Sequence, residues 1–452
     1  MNRKEKKVKK SPKLKVSHIL ILLFLIAIGG FAFFRFNTKR KLNIRFEAIR
    51  AAGYPVTCEE LNEWYSIPYD VENSAYIILD AFGYYQEPNN IELLPAIGQA
   101  DIPSRNQQIP DEMLKLISQC ISNNQECLEL LHKTAELEHG RYPGDLSLGI
   151  NTPLPSLSEI RKCALLLQLE AIDSTERDDS EAVIDSIKSI FGVSRSLSME
   201  PMIISQLVRL AINSLTVSSL EYAMNRTVFS DEQLIELNRE FSNAKDDSNI
   251  SRAFIGERCM IIDIMENPSA INPESIGIDF PPRFIIEAYE ALGLADKGME
   301  IYLDLNKELM KALELPMHLR LNELDAIETK INSIPRIYFI IRNFMPSFGR
   351  VVEIDIRNNA QLTTAQTALA VQRYRLHNNK LPDSLDNLVP DYLESVPLDP
   401  FDGEKIRYKK INPGFVIYSV GENLSDDGGQ EMPKTSVQRR NSQWDTTFIV
   451  EK

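Results

Sequence analysis

From Val16 to Phe34 the chain runs nineteen residues without a Lys, Arg, Asp or Glu, and no other stretch constrains its fold as much. Wound as a helix, such a run spans roughly 28 Å, close to the ~30 Å hydrocarbon core of a bilayer. Residues 1–15, MNRKEKKVKKSPKLK, form a basic leader before it, and Arg35, Lys39, Arg40 and Lys41 follow it. The leader is the more basic side, so the positive-inside rule places the N-terminus in the cytoplasm and the body outside. Residues 16–34 therefore read as a transmembrane signal anchor. A cleaved signal peptide is the competing reading, with small residues at Ala27-Ile28-Gly29, but apolar residues continue past that point through Phe31, Ala32, Phe33 and Phe34. The first cysteine is Cys58, which excludes a lipoprotein-type anchor.

Charge is distributed unevenly. The first 45 residues carry 13 basic side chains against the single acid Glu5, so the remainder of a chain of net charge −14 is left near −26. A body that acidic repels nucleic acid and excludes it as a partner. The five cysteines, Cys58, Cys120, Cys127, Cys163 and Cys259, have neither CxxC nor metal-ligand spacing and read as small buried side chains.

From Phe46 to about Phe344 the apolar pattern is mostly helical, and residues 35–345 read as one large helical extracytoplasmic domain. Thr57-x-x-Glu60, Ser156-x-x-Glu159, Asp178-x-x-Glu181 and Ser230-x-x-Gln233 have the form of capping boxes at helix starts. Three helices beginning near Ser156, Asp179 and Met202 are joined by short turns and should pack as antiparallel neighbours, the first through a face of Ile160, Ala164, Leu167 and Ala171. Segments 142–155 and 266–283 read as loops. Within ECLELLHKTAELEHG, the residues Glu129, His132, Glu136 and His139 recur at helical spacing and should share one helix face. Ligands stacked along a single face cannot surround an ion, so a solvated acidic face is the plainer reading. No GxSxG, HExxH, Walker A or dinucleotide fingerprint occurs.

The C-terminal stretch, residues 347–452, reads as a small α+β module. A helical run through Ala368, Leu369, Gln372 and Leu376 should cover a hairpin of KIRYKK and FVIYSV, half-buried by its alternation, with TTFIV as a third strand. Between them lies SVGENLSDDGGQ, a loop rich in oxygen donors. Tyr374, Leu381, Pro382, Leu385, Leu388, Tyr392, Pro397, Asp399, Pro400 and Gly403, followed by Tyr408 and Tyr418-Ser419-Val420-Gly421, resemble the C-terminal domain of the type II secretion major pseudopilin (protein G). The resemblance covers roughly the last hundred residues, under a quarter of the chain. It implies a helix laid on an antiparallel sheet and a calcium loop whose ligands would be Asn423, Asp426, Asp427 and Asp445. The sequence departs from that family where Asn423 replaces an Asp, where the loop lengthens by about one residue before Gly428-Gly429, and where QEMPKTSVQRRNSQ is inserted before Trp444. The anchor departs too. It has no Glu, and Gly30 lies near its end, so packing into a pseudopilus is not implied.

The expectation is thus a mainly α protein with an N-terminal transmembrane helix, a large helical domain and a pseudopilin-like end. It is a bacterial inner-membrane protein of a non-enzymatic, interaction or scaffolding kind, with envelope partners, a secretion association and calcium as the candidate ion. The alternative is a membrane-anchored hydrolase whose cleft is walled by the Glu129–His139 segment.

Overall fold

A computed structural model describes residues 16–105, 107–245, 248–268, 281–433 and 443–452. The basic leader, most of the 266–283 loop and most of the QEMPKTSVQRRNSQ insertion lie outside the described residues. The described residues are mainly helical, with a three-stranded antiparallel sheet near the C-terminus.

Helix α1, Val16–Ala51, extends well past the apolar run and is long and apolar enough to cross a membrane. Its first half is bare: Phe24 is 66% exposed and Phe33 71%. Its second half is part of the body. Thr38, Leu42 and Phe46 recur every fourth residue and are buried, in a core shared with Met299 and Leu303 of α12, Leu294–Leu313. Burying Leu42 and Phe46 contributes roughly 1.5–3 kcal/mol each. Arg35 and Arg45 reinforce the seam through ion pairs to Asp296 and Asp304 at 3.4 and 2.9 Å. The apolar half and the body are joined by an unbroken helix.

After α2, Cys58–Trp64, and α3, Ser74–Gly83, come α4, Asp111–Asn123, and α5, Gln125–Lys133. The three expected neighbours follow as α6, Leu157–Glu176, α7, Ser180–Ser196, and α8, Ile203–Met224, and they pack on one another. The expected apolar face of α6 was too narrow. The helix also meets α3 and α4, so Cys163, Leu165, Leu166 and Leu169 are buried as well as Ile160, Ala164, Leu167 and Ala171. Helix α8 is also apolar enough to cross a membrane, yet it is a core helix. Its buried Asn213 donates to Asn358 Oδ1 at 3.2 Å, and Ser214 donates to Gln361 Oε1 at 2.7 Å. Such side chains are costly in lipid without partners.

Ser230 and Gln233 form a reciprocal capping box at the start of α9, Asp231–Asn243. Thr57 caps α2, with Glu60 reaching back to the Val56 amide at 2.7 Å. The cap of α7 is Asp179 rather than Asp178, and Ser156 makes no side-chain cap bond. Helix α10, Ser248–Glu266, is followed by α11, Arg283–Ala291, then α12, α13, Met317–Ser333, and α14, Phe339–Phe344.

Helix α15, Pro346–Asn378, ties the two ends of the protein together. Val352 and Ile356 in its first half join the α12 core, while Ala365, Ala368 and Leu369 join a core with Phe191 of α7, Leu237 of α9 and the sheet. The strands are β1, Arg407–Lys410, β2, Phe415–Ser419, and β3, Thr446–Val450, in that order. The outer edge of β3 is hydrogen-bonded by side chains of α8 and its cap. Asn225 donates to Ile449 O at 2.8 Å and accepts from Glu451 N at 2.7 Å, and Glu221 accepts from Ile449 N at 3.1 Å. In this way Asn225 stands in for the peptide group of a further strand, and the edge is covered rather than open.

Candidate functional site

The Glu129–His139 segment does not form one face. Helix α5 ends at Lys133, a 3-10 turn covers Thr134–Glu136, and Leu137 is extended. The four side chains therefore separate. His132 turns inward to α6 and α7, with Nε2 3.0 Å from Glu170 and Nδ1 2.8 Å from Ser189 Oγ. Because the Ser189 hydroxyl already donates to Asp185 O at 2.7 Å, Nδ1 must donate to it. With a carboxylate at the other nitrogen, the geometry is that of an imidazolium. Burial opposes that charge, but Glu170 and Asp185 outweigh it and raise the His132 pKa. Glu136 pairs with Lys188 at 3.1 Å, and Glu136, Glu138 and His139 line the mouth of a cleft.

That cleft, about 900 Å³, lies among the ends of α7 and α9, the first turns of α10 and the 135–139 turn. Arg195, Arg209, Arg239 and Arg252 line it against the carboxylates Glu136, Glu138 and Glu240. Arg195 is held by Glu240 at 3.3 Å and by the carbonyls of Ala135 and Leu137. Arg252 differs. Its guanidinium stacks on Trp64 at 3.8 Å and donates to the carbonyls of Met199 and Trp64, and burial works against its charge. Among the described residues no hydrogen bond joins the His139 side chain to a carboxylate.

A second cavity of about 390 Å³ abuts the cleft, with Tyr54 and Ile255 in both walls. It is more apolar, lined by Ala48, Ile49, Leu303 and Met310, and it contains Arg258 and Asn306. Those two residues are only 6% and 2% exposed, yet Arg258 Nε and Asn306 Nδ2 have no hydrogen-bond partner among the described residues. Arg258 is otherwise held by Pro55 O at 2.9 Å. None of these residues carried a sequence signal, because they come from three separate helices.

The four residues proposed for calcium are brought close together, with the oxygens of Asn423, Asp426 and Asp445 accepting backbone N–H groups of the 423–429 loop. Asn423 Oδ1 accepts from Ser425 N at 3.0 Å and Asp426 Oδ1 from Gly428 N at 2.9 Å. Asp445 accepts from Gly429 N at 2.7 Å and Asp427 N at 3.4 Å, and Asn423 Nδ2 donates to Asp427 at 2.8 Å. Burial pushes the Asp445 carboxyl up, against the pull of those two amides. Among the described residues no group of three or more His, Cys, Asp or Glu is placed to hold an ion. In this arrangement the oxygens of Asn423, Asp426 and Asp445 staple the loop to its own backbone.

The stapled loop folds back over the sheet. Gly429 sits at φ +78°, and a Cβ there would lie 3.1 Å from the Tyr418 ring and 3.2 Å from Val416. All five residues of β2 are consequently buried, where alternation predicted only half. Asp399, the aspartate of the Pro-x-Asp-Pro turn, is the hub beneath. Its carboxylate accepts from Phe401 N, Val420 N and Ser419 Oγ at 2.9, 2.9 and 2.7 Å and pairs with Arg407 at 2.6 Å. Glu422, also buried, is held by Arg350 and Arg357 of α15.

Comparison with family models, curated proteins and solved structures yields no match. The cysteines are all free and buried. The cleft, its annex and the C-terminal turns are therefore read on their own chemistry.

Proposed function

We propose that this chain is a single-pass bacterial envelope protein held in the inner membrane by residues 16–34, N-terminus inside, that works by binding rather than by catalysis. The observation that carries the reading is α1 itself, bare through its apolar half and built into the core through the rest. The recognition site is the arginine-walled cleft with its annex. The arginines of the cleft wall, Arg195, Arg209, Arg239 and Arg252, favour a partner group rich in acceptors, a carboxylate or phosphate. The C-terminal part is a pseudopilin-like module set beside a secretion or envelope assembly. The order of helix, Pro-x-Asp-Pro turn, hairpin and last strand supports it, and the buried Asp399 gives the turn a structural purpose.

Affinity capture from native membranes, using the full chain and an Arg252→Glu variant, tests this. A partner retained by the wild type and lost by the variant is expected. Identical capture by both would remove the cleft from the reading. Failure of the chain to sediment with membranes would remove the anchor.

A hydrolase remains the second reading, favoured by one observation: Glu136, Glu138 and His139 share the cleft wall with Glu240 of another helix. Turnover of a chromogenic ester, peptide or glycoside that His139→Ala and Glu240→Gln both abolish would establish it.

A further inference from the structure

Helix α11, Arg283–Ala291, is apolar on two sides. Its inner side is conventional, with Ile286 and Tyr289 buried and Tyr289 against the Phe339 ring at 5.2 Å. Its outer side carries Phe284, Ile285, Ala288, Ala291 and Leu292, all exposed. Phe284 is 70% exposed and Leu292 55%. Positions 284, 288, 291 and 292 fall at helical spacing, so these side chains form one stripe rather than scattered exceptions. A soluble helix normally spends such a stripe on packing, and this one lies open.

The place of α11 in the fold names what covers it. Arg35, the first charge after the apolar run, donates to the carbonyls of Glu290 and Ala291 at 2.8 and 3.1 Å and pairs with Asp296. The last turn of α11 is thus fastened to the point where α1 leaves its apolar half. Contact there is close: Gly293 sits at φ +70°, and a Cβ would lie 2.4 Å from Arg35 Cδ. Helix α12 then runs alongside α1 away from that point, since Arg35 meets Asp296 and Arg45 meets Asp304. This puts α11 at the anchor end of the body. Phe33 and Phe36 of α1 are exposed within two residues of Arg35, and Lys39, Arg40 and Lys41 are exposed on the next turn of that helix. Apolar side chains level with the end of a membrane helix, flanked by basic ones, match a bilayer interface with its acyl boundary and anionic headgroups.

We infer that α11 lies in the membrane interface, with Phe284, Ile285 and Leu292 inserted among lipid acyl chains, so that the body is held against the bilayer at two points. This rests on α1 being an anchor. Two contacts, α1 through the bilayer and α11 on it, fix the tilt of the body, which a single helix would leave free to rotate.

The test uses the full chain reconstituted in phosphatidylethanolamine–phosphatidylglycerol vesicles with a fraction of dibrominated acyl chains. Single variants Phe284→Trp, Phe24→Trp and Ile235→Trp are compared with the wild type. Phe24 lies in the anchor, and Ile235 is an exposed residue of α9. Phe284→Trp should show blue-shifted emission and lose at least half its added intensity to bromolipid, as Phe24→Trp does, while Ile235→Trp is unaffected. Quenching of Phe24→Trp with none of Phe284→Trp overturns the inference and leaves the anchor standing. No quenching of Phe24→Trp overturns the anchor and the inference together. A blue shift of Phe284→Trp without lipid quenching means that a second copy of the chain covers the stripe, and also overturns it.

Discussion

Replacing Asp399 by alanine should unfold the C-terminal sheet locally while leaving the helical body folded. The carboxylate is shut off from solvent and engages two backbone amides, one hydroxyl and the Arg407 guanidinium at 2.6–2.9 Å. Alanine would leave the two amides and the hydroxyl buried without that acceptor, each at about 1–3 kcal/mol, and would remove one of the two carboxylates on Arg407. Arg407 keeps Asp402, which offsets part of the loss. A net cost of about 3–5 kcal/mol follows, the range for breaking a buried pair by removing one partner. Because a chain of this size need not unfold in one step, a single midpoint is a poor measure. Hydrogen exchange resolved by residue is the better assay. The amides of Phe401, Val420 and the β1–β2 ladder should lose protection by a factor of about a hundred or more, while those of α6 and α7 keep theirs. Asp399→Asn should fall between, since its oxygen still accepts but its NH₂ faces donors. A loss below about 1 kcal/mol in Asp399→Ala would show that water reaches the turn and that the hub reading is wrong.

Asn225→Ala should expose the outer edge of β3, deprotect the Glu451 amide and cost about 1–3 kcal/mol; unchanged exchange at Glu451 would refute its part in capping the sheet. The raised pKa of His132 gives a sign. Its charge stabilises the α5–α6–α7 junction fully below the unfolded value of about 6.5, and that contribution is lost as pH rises through the higher native value. His132→Gln should flatten this decline in unfolding measured against pH. Asp445→Asn should weaken the protection of the 423–429 loop amides with or without millimolar calcium, because Asp445 accepts from Gly429 N; protection gained by the wild type with calcium and abolished by Asp445→Asn would establish an ion site there.

The elements of the C-terminal part were legible residue by residue. Alternation in KIRYKK and FVIYSV placed the hairpin, and helical spacing from Ala368 placed its cover. Burial was not legible in the same way. Val416 and Tyr418 face outward by alternation and are buried where Ile449 and Ile411 pack beside them and the stapled loop returns over them through Gly429. The error over Glu129–His139 has a similar origin. Periodicity continues through that segment, but the turn there packs against α7, and Arg195 takes the carbonyls of Ala135 and Leu137 in place of a continued helix.

An uninterrupted apolar run, a helical middle and a small sheet follow from local pattern alone, because hydrophobic period and turn chemistry act over a few residues. The cleft, its annex, the covered edge of β3 and the fastening of α11 to α1 do not, because each joins residues from distant parts of the chain. Arg252 reaches Trp64, Asn225 reaches Ile449 and Arg35 reaches Glu290. Their chemistry depends on which surfaces meet, and that is settled only when the helices pack.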